Sequence, residues 1–221
     1  FVTNGTSTAN KIVIQAVTLP GDIILMAPDC HKSHHHAAIL ASVNTHVLDV
    51  SLNNKHHLCP PVTTATLKSA LLQYKRHGQL SRVTLVCLSN LTFDGISYNL
   101  EDLITQCLAI KPDLIFLVDE AWFAYGYFYP TTRQRSAMCV ATRLKLNFES
   151  SSYASKYADW LHNTGGLEGL SPQDTVDTAI LPDPQSVKVR IYSTQSTHKT
   201  LTALRQALSL IHISEPTRRY A

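Results

Sequence analysis

Short apolar runs alternate along this chain with longer amphipathic segments. The runs are rich in Val, Ile and Leu and are bounded by turn-forming residues, a pattern typical of strands buried in a parallel sheet. The first residues, Phe1 to Thr3, have the pattern of the end of a strand that enters a turn at Asn4 and Gly5. We predict the other strands over residues 23–27, 45–50, 83–88, 113–118 and 187–192.

Between the strands, apolar residues recur at the spacing of one helix face, as at Leu67, Leu71 and Tyr74. Helices are predicted over residues 9–17, 34–41, 64–76, 100–110, 133–163 and 200–205. The alternation of strands and helices predicts an α/β fold whose mostly parallel sheet has helices on both faces. Such sheets bind ligands outside the carboxyl ends of their strands.

Composition argues against several classes of partner. The net charge is +3 and 16% of the residues are charged, without a dense run of Lys and Arg, so no nucleic-acid partner is predicted. No apolar stretch reaches the ~18 residues of a membrane span. Five cysteines without a Cys-x-x-Cys pair predict reduced thiols in a cytoplasmic protein. The adjacent histidines at 34–36 point in different directions on a helix, so no metal site is predicted.

The two ends of the chain differ from the rest. The chain begins at Phe1 without an initiator Met, which we interpret as a fragment whose start lies upstream. Near the other end, a short apolar run stops at Pro216 and basic residues follow, with no further element predicted. We therefore interpret residues 1–208 as part of one domain and residues 209–221 as a tail that is not native protein sequence.

Polar side chains follow four of the predicted strands. Because the carboxyl ends of parallel strands meet at one edge of a sheet, we expect these side chains to converge on one crevice. They are Thr6 and Ser7, then His31, then Asp119 with Ala121 and Trp122, and finally Ser196, His198 and Lys199.

This combination of side chains suits a phosphate-bearing pyridine aldehyde. A Lys such as Lys199 attacks a carbonyl once its surroundings lower the pKa of the amine. Asp119 ends a buried strand and needs a donor, which a pyridinium N–H would supply. A flat imidazole such as that of His31 can stack on the ring, and hydroxyl groups at a helix N-terminus can bind the phosphate.

At these residues the chain resembles the bacterial pyridoxal-phosphate-dependent ornithine/lysine/arginine decarboxylase family. The resemblance covers residues 1–208 in the family's order and is specific as a set of five motifs. The motifs are Asn-Gly-Thr-Ser-Thr-Ala-Asn-Lys at 4–11, Asp-Cys-His-Lys-Ser at 29–33, Thr-Phe-Asp-Gly at 92–95, Asp-Glu-Ala-Trp at 119–122 and Ser-Thr-His-Lys at 196–199.

The resemblance implies an aspartate-aminotransferase-like large domain of fold type I, with pyridoxal 5'-phosphate as cofactor. It implies that Lys199, His31 and Asp119 are catalytic: Lys199 carries the cofactor as a Schiff base, His31 stacks on its ring and Asp119 pairs with the ring nitrogen. The remaining implied cofactor contacts are Thr6, Ser7, Ser196 and His198 at the phosphate, and Ala121 and Trp122 along the ring.

The implied reaction is decarboxylation of arginine, lysine or ornithine to the corresponding amine and carbon dioxide, in a homodimer or higher homo-oligomer. Two positions depart from the pattern of some family members, Phe93 in place of Tyr and Glu120 in place of a small residue. The family's regulatory wing and C-terminal domain are absent from these residues.

Several alternatives stay open on the sequence alone. The chain can be another fold-type-I enzyme, an aminotransferase or a lyase, or an inactive truncated fragment. It can also be a non-catalytic partner of a full-length decarboxylase, although a scaffold requires neither Lys199 nor Asp119. For single residues, Thr6 and Ser7 also suit a helix cap, Asp119 a turn cap, His31 a helix start and Trp122 the core.

Overall fold

The centre of the fold is a sheet of seven strands in the order β1-β7-β6-β5-β4-β2-β3. The computed structural model describes residues 1–50, 58–203 and 209–213. The strands are β1 Val2–Thr3, β2 Ile23–Met26, β3 Asn44–Val47, β4 Val83–Ser89, β5 Ile115–Glu120, β6 Arg190–Ser196 and β7 Ser209–Ile213.

Five neighbouring strands, β3, β2, β4, β5 and β6, run parallel, and β7 runs antiparallel to both β6 and β1. All four residues of β2 and all six residues of β5 are buried, as expected for strands covered on both faces. The predicted α/β fold with a mostly parallel sheet is confirmed.

Two groups of helices cover the sheet. The described residues form α1 Thr6–Val17, α2 Lys32–Leu40, α3 Thr64–Arg76, α4 Leu100–Ile110, α5 Pro130–Arg133, α6 Ala137–Phe148, α7 Ser151–Thr164 and α8 Pro172–Asp177. Helix α1 packs on α2, whereas α4 packs on α3 and α6. Along the sheet, the connection from β2 to β3 runs in one direction, and the connections from β3 to β4 and from β4 to β5 run in the opposite direction. Because such crossovers are right-handed, α2 and α3 lie on opposite faces of the sheet.

The helix predicted over residues 133–163 is divided in the structure. Helix α6 ends at Phe148 and α7 begins at Ser151, because the Ser150 hydroxyl accepts a hydrogen bond from the Tyr153 backbone N–H at 3.2 Å. Such a side-chain cap satisfies a free N–H group and starts a new helix.

Among the described residues, none of the helices combines the length and the apolar character that a membrane-spanning helix requires.

The last predicted strand is displaced toward the carboxyl end, from residues 187–192 to Arg190–Ser196. The polar residues Thr194 and Ser196 are fully buried in this strand, and hydrogen bonds rather than apolar packing accommodate them. The predicted helix over 200–205 is wrong for residues 200–203, which form a turn and a bend, and residues 204–205 lie outside the described residues.

Within the predicted tail of residues 209–221, Ser209–Ile213 form β7, which adds a strand between β1 and β6. Its backbone pairs with Val2 and Thr3 on one side and with residues 192–196 on the other. Residues 214–221 lie outside the described part of the chain, and the origin of the tail stays a prediction.

Glu120, the last residue of β5, is fully buried and connects the sheet to α6. One carboxylate oxygen accepts hydrogen bonds from the side-chain amide of Asn90 and from the backbone N–H of Ala137, both at 2.8 Å. The other oxygen accepts from Ser193 Oγ at 2.6 Å and from Gln195 Nε2 at 3.3 Å. Burial raises the pKa of Glu120, and these hydrogen bonds oppose that rise.

Removing this acceptor tests its structural role. Glu120→Ala removes the acceptor of the buried Ser193 hydroxyl and of the Ala137 backbone N–H, and one acceptor of the Asn90 amide, so the free energy of unfolding should fall by about 2 kcal/mol or more. Glu101→Ala, which removes the half-exposed ion pair with Arg143, is the matched control and should cost about 1 kcal/mol or less. Urea unfolding followed by circular dichroism measures both, and equal losses would contradict the role of Glu120.

Candidate active site at the carboxyl edge of the sheet

A pocket of about 390 Å³ opens at the carboxyl ends of β5 and β6, beside the N-terminus of α1. The structure therefore brings together the groups that follow four separate strands in the sequence. Eight of the nine predicted site residues line the pocket: Thr6, Ser7, His31, Asp119, Ala121, Ser196, His198 and Lys199.

The N-terminus of α1 forms one wall of the pocket. Thr6 and Ser7 are its first two residues, and Gly5 precedes them as the N-cap with a φ of 86°, a conformation that favours glycine. No side chain caps this helix, so the alternative interpretation of Thr6 or Ser7 as the capping residue is wrong. The first N–H groups of a helix and the positive end of its dipole attract an anion.

Asp119 lies at the base of the pocket and is 7% exposed. Its Oδ1 accepts a hydrogen bond from the backbone N–H of Ala121 at 3.0 Å, so the predicted turn-cap alternative is also observed. Its Oδ2 accepts from the side-chain amide of Asn10 at 2.9 Å. Two donors from the protein thus fix the orientation of a carboxylate that still faces the pocket.

Asn10, a fully buried polar residue of α1, is not among the site residues predicted from the sequence. Its amide nitrogen also donates to Ser33 Oγ at 3.1 Å, and its amide oxygen accepts from Thr194 Oγ1 at 2.7 Å. The signal was present in the sequence, because Asn10 lies beside Ala9 and at helical spacing from Val13 and Ile14, on the face that α1 buries.

His31 serves two local purposes. It is the N-cap of α2, because its Nδ1 accepts a hydrogen bond from the Ser33 backbone N–H at 3.2 Å, which confirms the helix-start interpretation. Its exposed ring also lines the pocket. The pKa of His31 is lowered, mainly by partial burial and further by Lys199, while Asp119 opposes the shift.

His34 lies behind Asp119 and was not predicted as part of the site. It is fully buried, its Nδ1–H donates a hydrogen bond to the His31 carbonyl oxygen at 3.0 Å, and its Nε2 lies 3.9 Å from Asp119 Oδ2. Burial lowers the pKa of His34, and the carboxylate of Asp119 partly opposes this effect. Among the described residues, no three His, Cys, Asp or Glu side chains are placed to hold a metal ion.

Lys199 lies on the other side of the pocket, after the end of β6. Its Nζ is 5.0 Å from the centroid of the Trp122 ring, close enough for a cation–π interaction. Trp122 does not line the pocket itself; it supports Lys199 and is packed edge-to-face by Phe93 at 5.3 Å. Next to Lys199, Ser196 Oγ and His198 Nδ1 are hydrogen-bonded at 3.1 Å.

The arrangement combines an amine, a buried carboxylate and an anion-attracting helix N-terminus in one pocket. The amine can attack a carbonyl, the carboxylate can accept a hydrogen bond from a ring N–H, and the helix N-terminus with the hydroxyl groups can bind a phosphate. Asp119 and His31 each cap a local backbone N–H group and also line the pocket, so the structural and the functional interpretation of these residues do not exclude each other.

Comparison with known protein families identifies a match over most of the chain. Residues 1–152 match the sequence model of the family described as "Orn/Lys/Arg decarboxylase, major domain". The inducible lysine decarboxylase of Escherichia coli K12 is 30% identical over 216 residues, which are 96% of this chain and 23% of that protein. The chain spans about a fifth of the length of such curated relatives.

Solved structures with the same fold include members of two enzyme groups. Lysine decarboxylase A from Pseudomonas aeruginosa superimposes with a TM-score of 0.62 and 25% identity, over 96% of this chain and 23% of that one. An aspartate aminotransferase from Thermotoga maritima gives a TM-score of 0.53 at 12% identity, over 96% of this chain and 42% of that one. The predicted aspartate-aminotransferase-like fold is confirmed.

The buried His34 leads to a prediction about pH. Its pKa lies below the ordinary value of 6.5, so the unfolded chain binds the proton more tightly than the folded chain. Stability from this group is present above pH 6.5 and is lost as the pH falls from there through the folded pKa. Urea unfolding between pH 7.5 and pH 5 should therefore show a shallower acid loss for His34→Gln than for the parent chain.

The matched control for this prediction is His36→Gln, because His36 is exposed on the same helix. We expect its acid loss to follow that of the parent chain. A parallel acid profile for His34→Gln and the parent would contradict the placement of a neutral His34 behind Asp119.

Proposed function

The chain belongs to the Orn/Lys/Arg decarboxylase, major domain family, and from this premise we propose that its pocket binds pyridoxal 5'-phosphate for the decarboxylation of a basic amino acid. The products are the corresponding amine and carbon dioxide. The observation that carries the proposal is the convergence of Lys199, Asp119, His31 and the N-terminus of α1 in one pocket.

The donors and acceptors of the pocket fit this cofactor. Asp119 has a fixed carboxylate to pair with the ring nitrogen, since Asn10 and Ala121 hold both of its oxygens in place. The phosphate is assigned to the N-terminus of α1 with Thr6 and Ser7, and to Ser196 and His198 across the pocket. A dianionic phosphate there would meet the positive end of the helix dipole.

Lys199 is the proposed covalent attachment point. Lys199 lines the pocket, with its Nζ 5.0 Å from the centroid of the Trp122 ring, and its amine in the neutral form can attack a carbonyl. His31 is assigned to stack on the cofactor ring, and the small side chain of Ala121 leaves room on the opposite side. Trp122 supports Lys199 rather than lining the ring.

Pyridoxal phosphate, when bound, supplies an electron sink for the pair of electrons that the departing carboxylate leaves behind. The residues of this chain hold that sink in place. Asp119 would hold a proton at the ring nitrogen, where positive charge strengthens the sink, and Lys199 would offer its amine as the attachment point. The substrate class, arginine, lysine or ornithine, is part of the proposal.

The proposal extends to the longer protein, since this chain spans about a fifth of its relatives. We assign that protein to a homodimer or higher homo-oligomer in the cytoplasm. The aromatic side chains of Tyr127, Phe128 and Tyr129, which follow β5 in the chain, are each more than half exposed and support such an interface.

Reductive trapping tests the attachment. The chain is incubated with pyridoxal phosphate, reduced with borohydride and digested, and the modified lysines are identified by mass spectrometry. We expect modification of Lys199 to exceed that of the half-exposed Lys75 by about tenfold or more, because binding raises the effective concentration at Lys199. Lys199→Arg, which keeps the positive charge beside Trp122, should lose the modification at residue 199 without new trapping elsewhere.

Equal trapping at Lys199 and Lys75 in a folded sample would contradict the cofactor assignment. If Lys199 is trapped selectively, the product separates the remaining alternatives in the longer protein. An amine with carbon dioxide supports decarboxylation, whereas a keto acid would assign the pocket to an aminotransferase.

A further inference from the structure

Asn10 connects two parts of the pocket that the sequence places far apart. Its buried side-chain amide nitrogen lies 2.9 Å from Asp119 Oδ2 and 3.1 Å from Ser33 Oγ. Ser33 Oγ in turn lies 2.9 Å from His31 Nδ1. A continuous path of side-chain hydrogen bonds therefore runs from the carboxylate at the base of the pocket to the imidazole in its wall.

The direction of each hydrogen bond follows from the chemistry of its members. The carboxylate of Asp119 only accepts, so the Asn10 atom that faces it is the NH₂ group. Thr194 Oγ1 lies 2.7 Å from the other amide atom and donates to it, which agrees with an oxygen there. The NH₂ group has two hydrogens, and the second one points to Ser33 Oγ.

Ser33 is the donor in its hydrogen bond with His31. Because its hydroxyl oxygen accepts from Asn10, its hydroxyl hydrogen is available for His31 Nδ1. The Ser33 backbone N–H also donates to Nδ1, at 3.2 Å. A ring nitrogen that accepts two hydrogen bonds carries a lone pair, so the proton of a neutral His31 is on Nε2.

We propose that Asn10 is a positioning residue that couples Asp119 to His31 through Ser33 and holds His31 as the neutral Nε2–H tautomer. His31 is then a hydrogen-bond donor in the pocket, not a base. The hydrogen bonds and the tautomer do not depend on a bound cofactor. Only the use of the His31 Nε2–H group in the pocket rests on the proposed function.

The charged groups around His31 come from three elements. Lys32 and His34 belong to α2, Asp119 belongs to β5, and Lys199 follows β6. Asp119 favours a proton on His31, whereas the two lysines and a charged His34 disfavour it. Accepting through Nδ1 adds a further cost to protonation, because the imidazolium would have to give up both hydrogen bonds from Ser33.

Nitrogen-15 NMR of the cofactor-free chain with labelled histidine rings tests the coupling. The His31 signals are assigned by their loss in His31→Gln. The parent chain should show His31 as the Nε2–H tautomer. In Asn10→Ala and in Ser33→Ala, the proton affinity of His31 should rise about two- to tenfold, the factor that corresponds to one net hydrogen bond.

Asn90→Ala is the matched control, since Asn90 is also fully buried and also donates its side-chain amide to a carboxylate, that of Glu120. It should lose stability without changing the titration of His31. An Nδ1–H tautomer in the parent chain would overturn the proposal even if Asn10→Ala does not fold. So would an unchanged titration in Ser33→Ala, or an equal change in Asn90→Ala.

The experiment separates this coupling from the cofactor assignment, because no cofactor is present. A confirmed tautomer with no trapping at Lys199 would leave the positioning role in place and remove the proposed function. Selective trapping at Lys199 together with an Nδ1–H tautomer of His31 would support the proposed function and remove the positioning role of Asn10.

Discussion

Two adjacent buried carboxylates at the end of β5 determine how this fold is held together. Successive residues of a strand point to opposite faces of the sheet, so Asp119 and Glu120 require hydrogen-bond donors from opposite sides. Strand β6 supplies a hydroxyl on each side: Thr194 donates to Asn10, which in turn donates to Asp119, and Ser193 donates to Glu120. The hydrogen bonds of these buried carboxylates therefore connect α1, α6 and β6 to β5.

The two carboxylates differ in the acceptor capacity that they offer to a ligand. Glu120 accepts four hydrogen bonds and is fully buried, so its oxygens are occupied by the protein. Asp119 accepts two hydrogen bonds and lines the pocket, which leaves acceptor capacity for a ligand. Glu120, a departure from the pattern of some family members, thus has a structural role on the face away from the pocket.

The apolar runs predict the sheet well, because β2 and β5 are buried on both faces and contain mostly aliphatic residues. The motifs also predict which residues meet at the pocket. The pattern fails where hydrogen bonds replace apolar contacts: Thr194 and Ser196 are buried polar residues in β6, and Asn10 is a buried amide in α1. Such partners are distant in the sequence and become visible only when the strands are placed side by side.

The proposed site for pyridoxal phosphate is one pocket between the N-terminus of α1 and Asp119. A crystal structure of the chain after incubation with the cofactor and borohydride reduction would locate the cofactor. We expect the phosphate within hydrogen-bond distance of Thr6 or Ser7 and the ring nitrogen within hydrogen-bond distance of Asp119. A cofactor attached at Lys199 whose ring nitrogen points away from Asp119, or whose phosphate lies away from α1, would contradict this proposal.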